Sequence, residues 1–353
     1  MATTTGGSRT GLYAGLVAVI LIVAVVAGLY LTGTIGGGGS STTSNNTNSG
    51  SSTGPNTVIN VVAAENFWGS LISQIGGVHV SVTSVVSDPN TDPHQYSASP
   101  AVAAAIANAK LVIENGMHYD DWEGSLVNAS NTPGQTVVNL QKSFGIPDDL
   151  LETMNPHLWY SPYYVNDSNH VFYNALVKID PTDQAYFKSN YATLNSSLYH
   201  AYMAREAAIK SKWGGAPNLN DPSKHGDGTS VGKTSVVATE SIFIFMANAT
   251  GLNILTPQTF MKAVAEGNDP TPADVATLQN ILNKGNQTVA CMIYNVQTVT
   301  PVTQQLKTLA SQNQIPVTQV SETIQPPDVP FQNWMQSEVA NLQNCLNAAA
   351  LGA

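Results

Sequence analysis

Charge is scarce in this chain. Asp, Glu, Lys and Arg together make up 10% of its 353 residues, against about 25% in an ordinary globular protein. The solvated surface must therefore be rich in Ser, Thr, Asn and Gln. Positive charge is scarcer still: 13 Lys and Arg stand against 23 Asp and Glu, for a formal net charge of −10. Nucleic-acid binding draws on clustered Lys and Arg that neutralise phosphates, so this balance argues against nucleic acid as a partner. Cysteine is nearly absent. Cys291 and Cys345 are the two in the chain, and they fit no zinc spacing. Outside a cell they would form one disulfide or remain two buried thiols. No HExxH or comparable metallohydrolase motif is present.

One long apolar run is present, at 12–31, and it carries no charge. Its length is about the ~20 residues that a bilayer core requires. Arg9 precedes it, and no basic residue follows until Lys110. The positive-inside bias then places residues 1–11 in the cytoplasm, a transmembrane anchor at 12–32 and the remainder outside. A cleaved signal peptide is the alternative, although its apolar region is usually shorter. No cysteine lies at the end of the run, which excludes a lipid-anchored cysteine there. Residues 33–57 are almost entirely Gly, Ser, Thr and Asn, a flexible tether too polar to bury a core. Glycosylation tripeptides begin at Asn45, Asn128, Asn195, Asn248 and Asn286. They agree with an exterior location, although Asn- and Ser-rich chains produce such tripeptides by chance.

Beyond the tether, short β-branched runs alternate with helical stretches. The pattern predicts strands at 58–63, 80–86, 111–114 and 136–140, with helices at 66–75 and 100–109. Ser99 is a good N-cap, with Pro100 at the first helical position. A second alternating stretch predicts strands at 235–239, 289–294 and 316–321. Its helices are expected at 272–282, 302–312 and 331–346. These read as two α/β lobes with mainly parallel sheets, over 58–180 and 214–353. Between them, 181–213 reads as one long linking helix, with two shorter helices as the alternative. Asp180 caps it, Pro181 starts it and Gly214-Gly215 ends it. Phe187, Tyr191, Leu194, Leu198 and Tyr202 fall at the three- and four-residue spacings of an amphipathic stripe.

Two Pro-His dipeptides carry the chemistry. One lies in Asp92-Pro93-His94-Gln95-Tyr96, the other in Asn155-Pro156-His157-Leu158-Trp159. Proline fixes the backbone just before each histidine, and neutral imidazole is the commonest metal ligand. A lone loop histidine means little; two in matching settings point to a metal. In open α/β sheets, ligands bind outside the carboxyl ends of the strands. His94 follows the strand at 80–86, Glu240 follows 235–239, and Glu322 follows 316–321. With His157, they make a four-ligand site for one divalent metal: two imidazoles from one lobe, two carboxylates from the other.

At this point the chain resembles the metal-binding solute receptors of ABC importers for zinc and manganese. Ala63-Ala64-Glu65-Asn66-Phe67-Trp68-Gly69, the segment from Asp88 to Tyr96, Asn115-Gly116, Asp121-Trp122 and the second Pro-His motif are similar to first-lobe motifs of that family. Ala238-Thr239-Glu240, Tyr294-Asn295-Val296-Gln297-Thr298, Ile315-Pro316-Val317 and the segment from Ser321 to Met335 are similar to second-lobe motifs. The resemblance implies two (β/α) lobes joined by a long helix, with His94 and His157 as ligands and Glu240 as the third. The family's fourth ligand is usually Asp. Glu322 occupies that place here, with Asp328 in reserve. Some relatives carry a His-rich loop; the matching stretch here, 214–233, holds only His225, which has no assigned role. His118 is expected at the rim of the cleft. His79, His170 and His200 have no supporting context.

The function implied is a membrane-tethered, monomeric receptor that captures zinc or manganese outside the cell and hands it to an ABC permease. The alternatives are a mononuclear metallohydrolase, which would need an open coordination position, and a surface adhesin that uses metal structurally. Two carboxylate ligands suit harder ions, so the sequence leans towards manganese or iron in use. The Irving–Williams order still places zinc above manganese in raw affinity.

Overall fold

The computed structural model describes residues 58–351, apart from Asp92, His94, Gln95, Glu152, residues 215–232 and Gln287. The apolar run at 12–31, the tether, the Asn45 tripeptide, His225 and His94 therefore lie outside the described residues. Among the described residues, no helix is long and apolar enough to cross a membrane. All of them fall within one compact unit, Pro55–Ala353.

Four strands, β1 (Ile59–Glu65), β2 (Val80–Val86), β3 (Leu111–Glu114) and β4 (Thr136–Asn139), form the first sheet. All pair in parallel, in the order β2-β1-β3-β4. A second parallel sheet repeats this order as β6-β5-β7-β8. Its strands are β5 (Ser235–Ala238), β6 (Asn253–Ile254), β7 (Cys291–Asn295) and β8 (Val317–Val320). The central strands β3 and β7 are buried at every residue. Parallel sheets covered on both faces require such continuous apolar runs. The two α/β lobes expected from the sequence are thus present. In each sheet the winding reverses beside the first strand, between β1 and β3 and between β5 and β7. That reversal leaves a crevice at the carboxyl ends of the strands.

The helix Asn66–Gly76 lies so close to β2 that a Cβ on Gly69 would collide with the Ser84 side chain. Ser99 caps Pro100–Asn108 by accepting from the Val102 N–H. The sequence reading missed β6 and the helices Asp121–Ser130, Pro162–Ile179, Ile244–Thr250 and Gln258–Ala265. Pro162–Ile179 is rich in aromatic and β-branched residues, which are weak helix formers alone. Packing overrides that weakness: Phe172 and Leu176 are fully buried, with Phe172 edge-on to Trp68 at 6.0 Å.

Residues 181–213 run without interruption but not as one α-helix. A 3-10 turn, Pro181–Asp183, leads into Gln184–Leu198, then a π-helical turn, Tyr199–Met203, then Ala204–Trp213. Asp180 caps the start by accepting from the Thr182 N–H. Phe187, Leu194, Leu198, Tyr202 and Ile209 point into an apolar core that also takes side chains from β1, β7 and the closing helix, Phe331–Leu351. One core therefore runs through both lobes. Cys291 and Cys345 form a disulfide with Cα atoms 5.8 Å apart, which ties β7 to the closing helix. That decides between the two cysteine alternatives.

Candidate metal centre

The second Pro-His motif builds the centre from its own backbone. Asn155 Oδ1 accepts from the His157 N–H at 3.1 Å and lies 2.6 Å from His157 Nδ1. An amide oxygen can only accept there, so Nδ1 carries the proton and Nε2 presents its lone pair to the cleft. The Asn155 amide donates to the Ser241 carbonyl of the other lobe at 2.7 Å. Asn115 Nδ2 donates to the Pro156 carbonyl at 3.0 Å and so anchors the turn to the end of β3. Behind it, Trp159 stacks on Phe67 at 3.9 Å. The imidazole is completely buried.

Two carboxylates from the second lobe meet it. Glu240 stands just past β5 as the N-cap of the 3-10 turn Ser241–Phe243, accepting from the Ile242 N–H at 3.0 Å. Glu322 stands just past β8. His157 Nε2 lies 3.6 Å from Glu240 Oε1 and 3.8 Å from Glu322 Oε2, and all three side chains are fully buried. Three donor atoms within 4.8 Å of one another make a set that could hold a metal ion. The structure thus brings together three of the four residues singled out in the sequence, and the fourth, His94, lies outside the described residues. Asp328 is exposed, in a groove beside Ser70 and Gln74, and is not part of this cluster.

Several residues that sequence reasoning gave no role complete the surroundings. Asn295, at the end of β7, donates from Nδ2 to Glu240 Oε2 at 3.1 Å and to Glu322 Oε1 at 2.9 Å. Tyr119 donates its hydroxyl to Glu322 Oε2 at 2.7 Å. Burial, then the Glu322 carboxylate, holds the Tyr119 phenol well above its ordinary range, so it remains a donor. Gly116, Met117 and His118 all have positive φ, at 73°, 62° and 59°. This left-handed turn faces Tyr119 inward and leaves His118 exposed, with its Nδ1 2.8 Å from Asp121 Oδ2. Gln297 Oε1 accepts from the Glu322 and Thr323 N–H groups, at 2.7 and 3.0 Å. Its amide donates to the Thr91 carbonyl of the first lobe at 2.9 Å. For Asn295 and Gln297 the sequence signal was membership of a motif that carries the resemblance; Tyr119 lies between two such motifs and belongs to neither.

The remaining histidines sit apart. His79 pairs with Asp183 at 2.8 Å near the start of the linking helix, with Asp180 close by. His170 lies among the rings of Tyr173 and Tyr191. His200 is exposed on the π-helical turn.

Residues 61–213 match the model of a family described as ZnuA, zinc-uptake complex component A, periplasmic. A protein of Treponema pallidum provisionally named as metal-binding is 24% identical over 173 residues, 43% of this chain and 54% of that protein. The match thus spans about half the length of that relative. The zinc-binding protein TroA of the same organism is 27% identical over 124 residues, 34% of this chain and 40% of TroA. Its solved structure superposes with a TM-score of 0.60 at 16% identity, covering 83% of this chain and 99% of that one. A cadmium-bound periplasmic metal-binding protein from candidatus Liberibacter asiaticus gives 0.61 at 16%, covering 82% and 99%. A mutant of the same protein has been solved with manganese. The fold is therefore that of periplasmic metal-binding proteins, and the resemblance read from the paired Pro-His motifs is borne out by the family's own pattern over residues 61–213.

Proposed function

We propose that the protein is an extracytoplasmic receptor that captures one divalent transition metal ion, zinc or manganese, between its lobes and delivers it to an ABC importer. The observation that carries this reading is the fully buried imidazole of His157, facing carboxylates of Glu240 and Glu322 from the opposite lobe at 3.6 and 3.8 Å. Two buried carboxylates without a compensating cation are costly, and a divalent ion between the three side chains supplies one. His94 joins them as the fourth ligand, from the first Pro-His motif. In this reading 12–32 is the membrane anchor and 33–57 the tether. Residues 58–180 and 214–353 are the metal-binding lobes, joined by 181–213, and the receptor works as a monomer. The matching family is described as an uptake component, which favours binding over the hydrolase alternative.

The test is titration of the purified chain with Zn2+ and Mn2+. One equivalent should bind. His157→Ala and Glu322→Ala should each weaken binding by orders of magnitude while the unfolding transition stays cooperative. Unchanged affinity in both variants would remove the basis of the proposal.

A further inference from the structure

Gln297 does for the second lobe what Asn155 does for the first. Each is a neutral amide whose oxygen accepts from the backbone of a proposed ligand and whose nitrogen donates to a carbonyl of the opposite lobe. Asn155 Oδ1 accepts from the His157 N–H at 3.1 Å, and its Nδ2 donates to the Ser241 carbonyl, next to Glu240, at 2.7 Å. Gln297 Oε1 accepts from the Glu322 and Thr323 N–H groups at 2.7 and 3.0 Å, and its Nε2 donates to the Thr91 carbonyl at 2.9 Å. Two N–H groups converge on one end of the Gln297 amide, so that end is the oxygen and the nitrogen must face Thr91.

Both ends of the Gln297 bridge are firmly held. The Thr91 carbonyl belongs to a folded turn that follows the carboxyl end of β2. The Thr91 N–H donates to the Asp88 carbonyl at 3.0 Å, and Asp88 Oδ1 accepts from the Asn90 N–H at 2.8 Å, the usual way an Asp side chain closes a turn. On the other side, the Gln297 N–H donates to Asn295 Oδ1 at the end of β7, at 3.0 Å. Glu322 is fully buried whereas Gln297 is half-buried, so the bridge lies on the solvent side of the ligand.

We infer that Gln297 is a positioning residue that clasps the cleft shut: it joins the Glu322 segment to the opposite lobe and thereby slows release of the ion. The inference rests on the metal-receptor reading above. His157 and Glu322 belong to opposite lobes, so an ion held between them leaves when the lobes part. The bond from Gln297 to Thr91 opposes that parting beside Glu322, as the bond from Asn155 to Ser241 opposes it beside Glu240. Neutral amides suit the task, because a bond between uncharged groups can open without stranding a charge. A contact that is lost as the cleft opens acts mainly on the rate of dissociation, the rate through which most affinity differences are expressed.

The test is stopped-flow release of Zn2+ from the unaltered chain, Gln297→Glu and Gln297→Met, chased with EDTA in enough excess that its concentration no longer affects the rate. In Gln297→Glu the carboxylate still accepts from the Glu322 and Thr323 N–H groups but has no hydrogen for the Thr91 carbonyl. Its added negative charge attracts the cation and by itself would slow release. Release faster by roughly 3–10-fold, the range one neutral hydrogen bond accounts for, is nevertheless expected, with the association rate unchanged. Gln297→Met keeps the length, loses both arms and should release at least as fast. Release from Gln297→Glu at the unaltered rate overturns the inference, however Gln297→Met behaves. A loss of affinity carried by the association rate overturns it too. So does a lower urea midpoint with the release rate untouched, the mark of a merely structural residue. Failure of the unaltered chain to bind Zn2+ would remove the receptor reading, and the inference with it.

Discussion

The centre is built on amides as much as on its ligands. Asn155 shows how one neutral side chain sets three things together. It caps the turn, fixes the His157 tautomer and reaches the Ser241 carbonyl across the cleft at 2.7 Å. Neutral amides suit a buried site because they orient donors and acceptors without adding charge that must be desolvated. Asn155→Ala leaves Nδ1 without its partner and frees the ring to rotate. Metal affinity should then drop by roughly 10–100-fold, the usual effect of losing a group that orients a ligand. Calorimetric titration beside the unaltered chain checks this; an affinity within twofold would show that the Pro156 turn alone holds the ring. The residue types at this site were legible in the sequence because ligand chemistry admits few of them. The amide partners were not, because an Asn in a loop is usually an ordinary turn residue.

Among elements, the closing helix most clearly depends on a single covalent link. The Cys291–Cys345 disulfide joins it to the central strand β7 across 54 residues. In the chain-entropy account, a loop of that length stabilises the fold by about 4 kcal/mol. Cys291→Ser with Cys345→Ser should therefore lower unfolding stability by about 2–4 kcal/mol in urea titrations. Zinc affinity should change little, because neither cysteine touches the ligands. A loss of affinity without a loss of stability would contradict this assignment. The linking helix carries a different lesson. Its apolar stripe and its cap at Asp180 were readable from spacing. The π-helical turn at Tyr199–Met203 was not, because it goes with tertiary packing: Tyr202 is buried there, edge-on to Phe331 of the closing helix at 6.3 Å.

At the scale of the whole molecule, the scarcity of positive charge returns as buried acid. Burial pushes the Glu338 carboxyl up to about 8, against hydrogen bonds from Ser321 and Trp334 that lower it. Asp120 is likewise pushed up to about 8 by burial, partly offset by backbone hydrogen bonds. Burial holds Glu65, Glu123 and Glu206 well above the usual carboxylate range. These groups keep their protons in the folded chain while the unfolded chain loses them above about pH 4.5. The folded state therefore binds more protons, and stability falls as pH rises from about 4.5 towards 8. Without metal, the urea midpoint should be higher at pH 5.5 than at pH 8. Glu338→Gln should flatten part of that slope. A midpoint that rises over this interval would contradict the linkage. Metal affinity should move the other way, weakening at acid pH as protons compete for the ligand nitrogens.

The sequence by itself determined the two-lobe alternation, the long helix between the lobes and the candidate ligands. Each depends on local rules: apolar period, capping chemistry, proline geometry and the few side chains able to bind a metal. The tertiary structure decided which of those ligands meet and what they meet. Glu240 and Glu322 are 82 residues apart in sequence, and β7 is the strand that seats Asn295 between them. Asp328, six residues beyond Glu322, is exposed instead. Strand order is a property of how the whole chain winds, and it decides which side chains meet at the carboxyl ends of the strands. No local pattern carries that information.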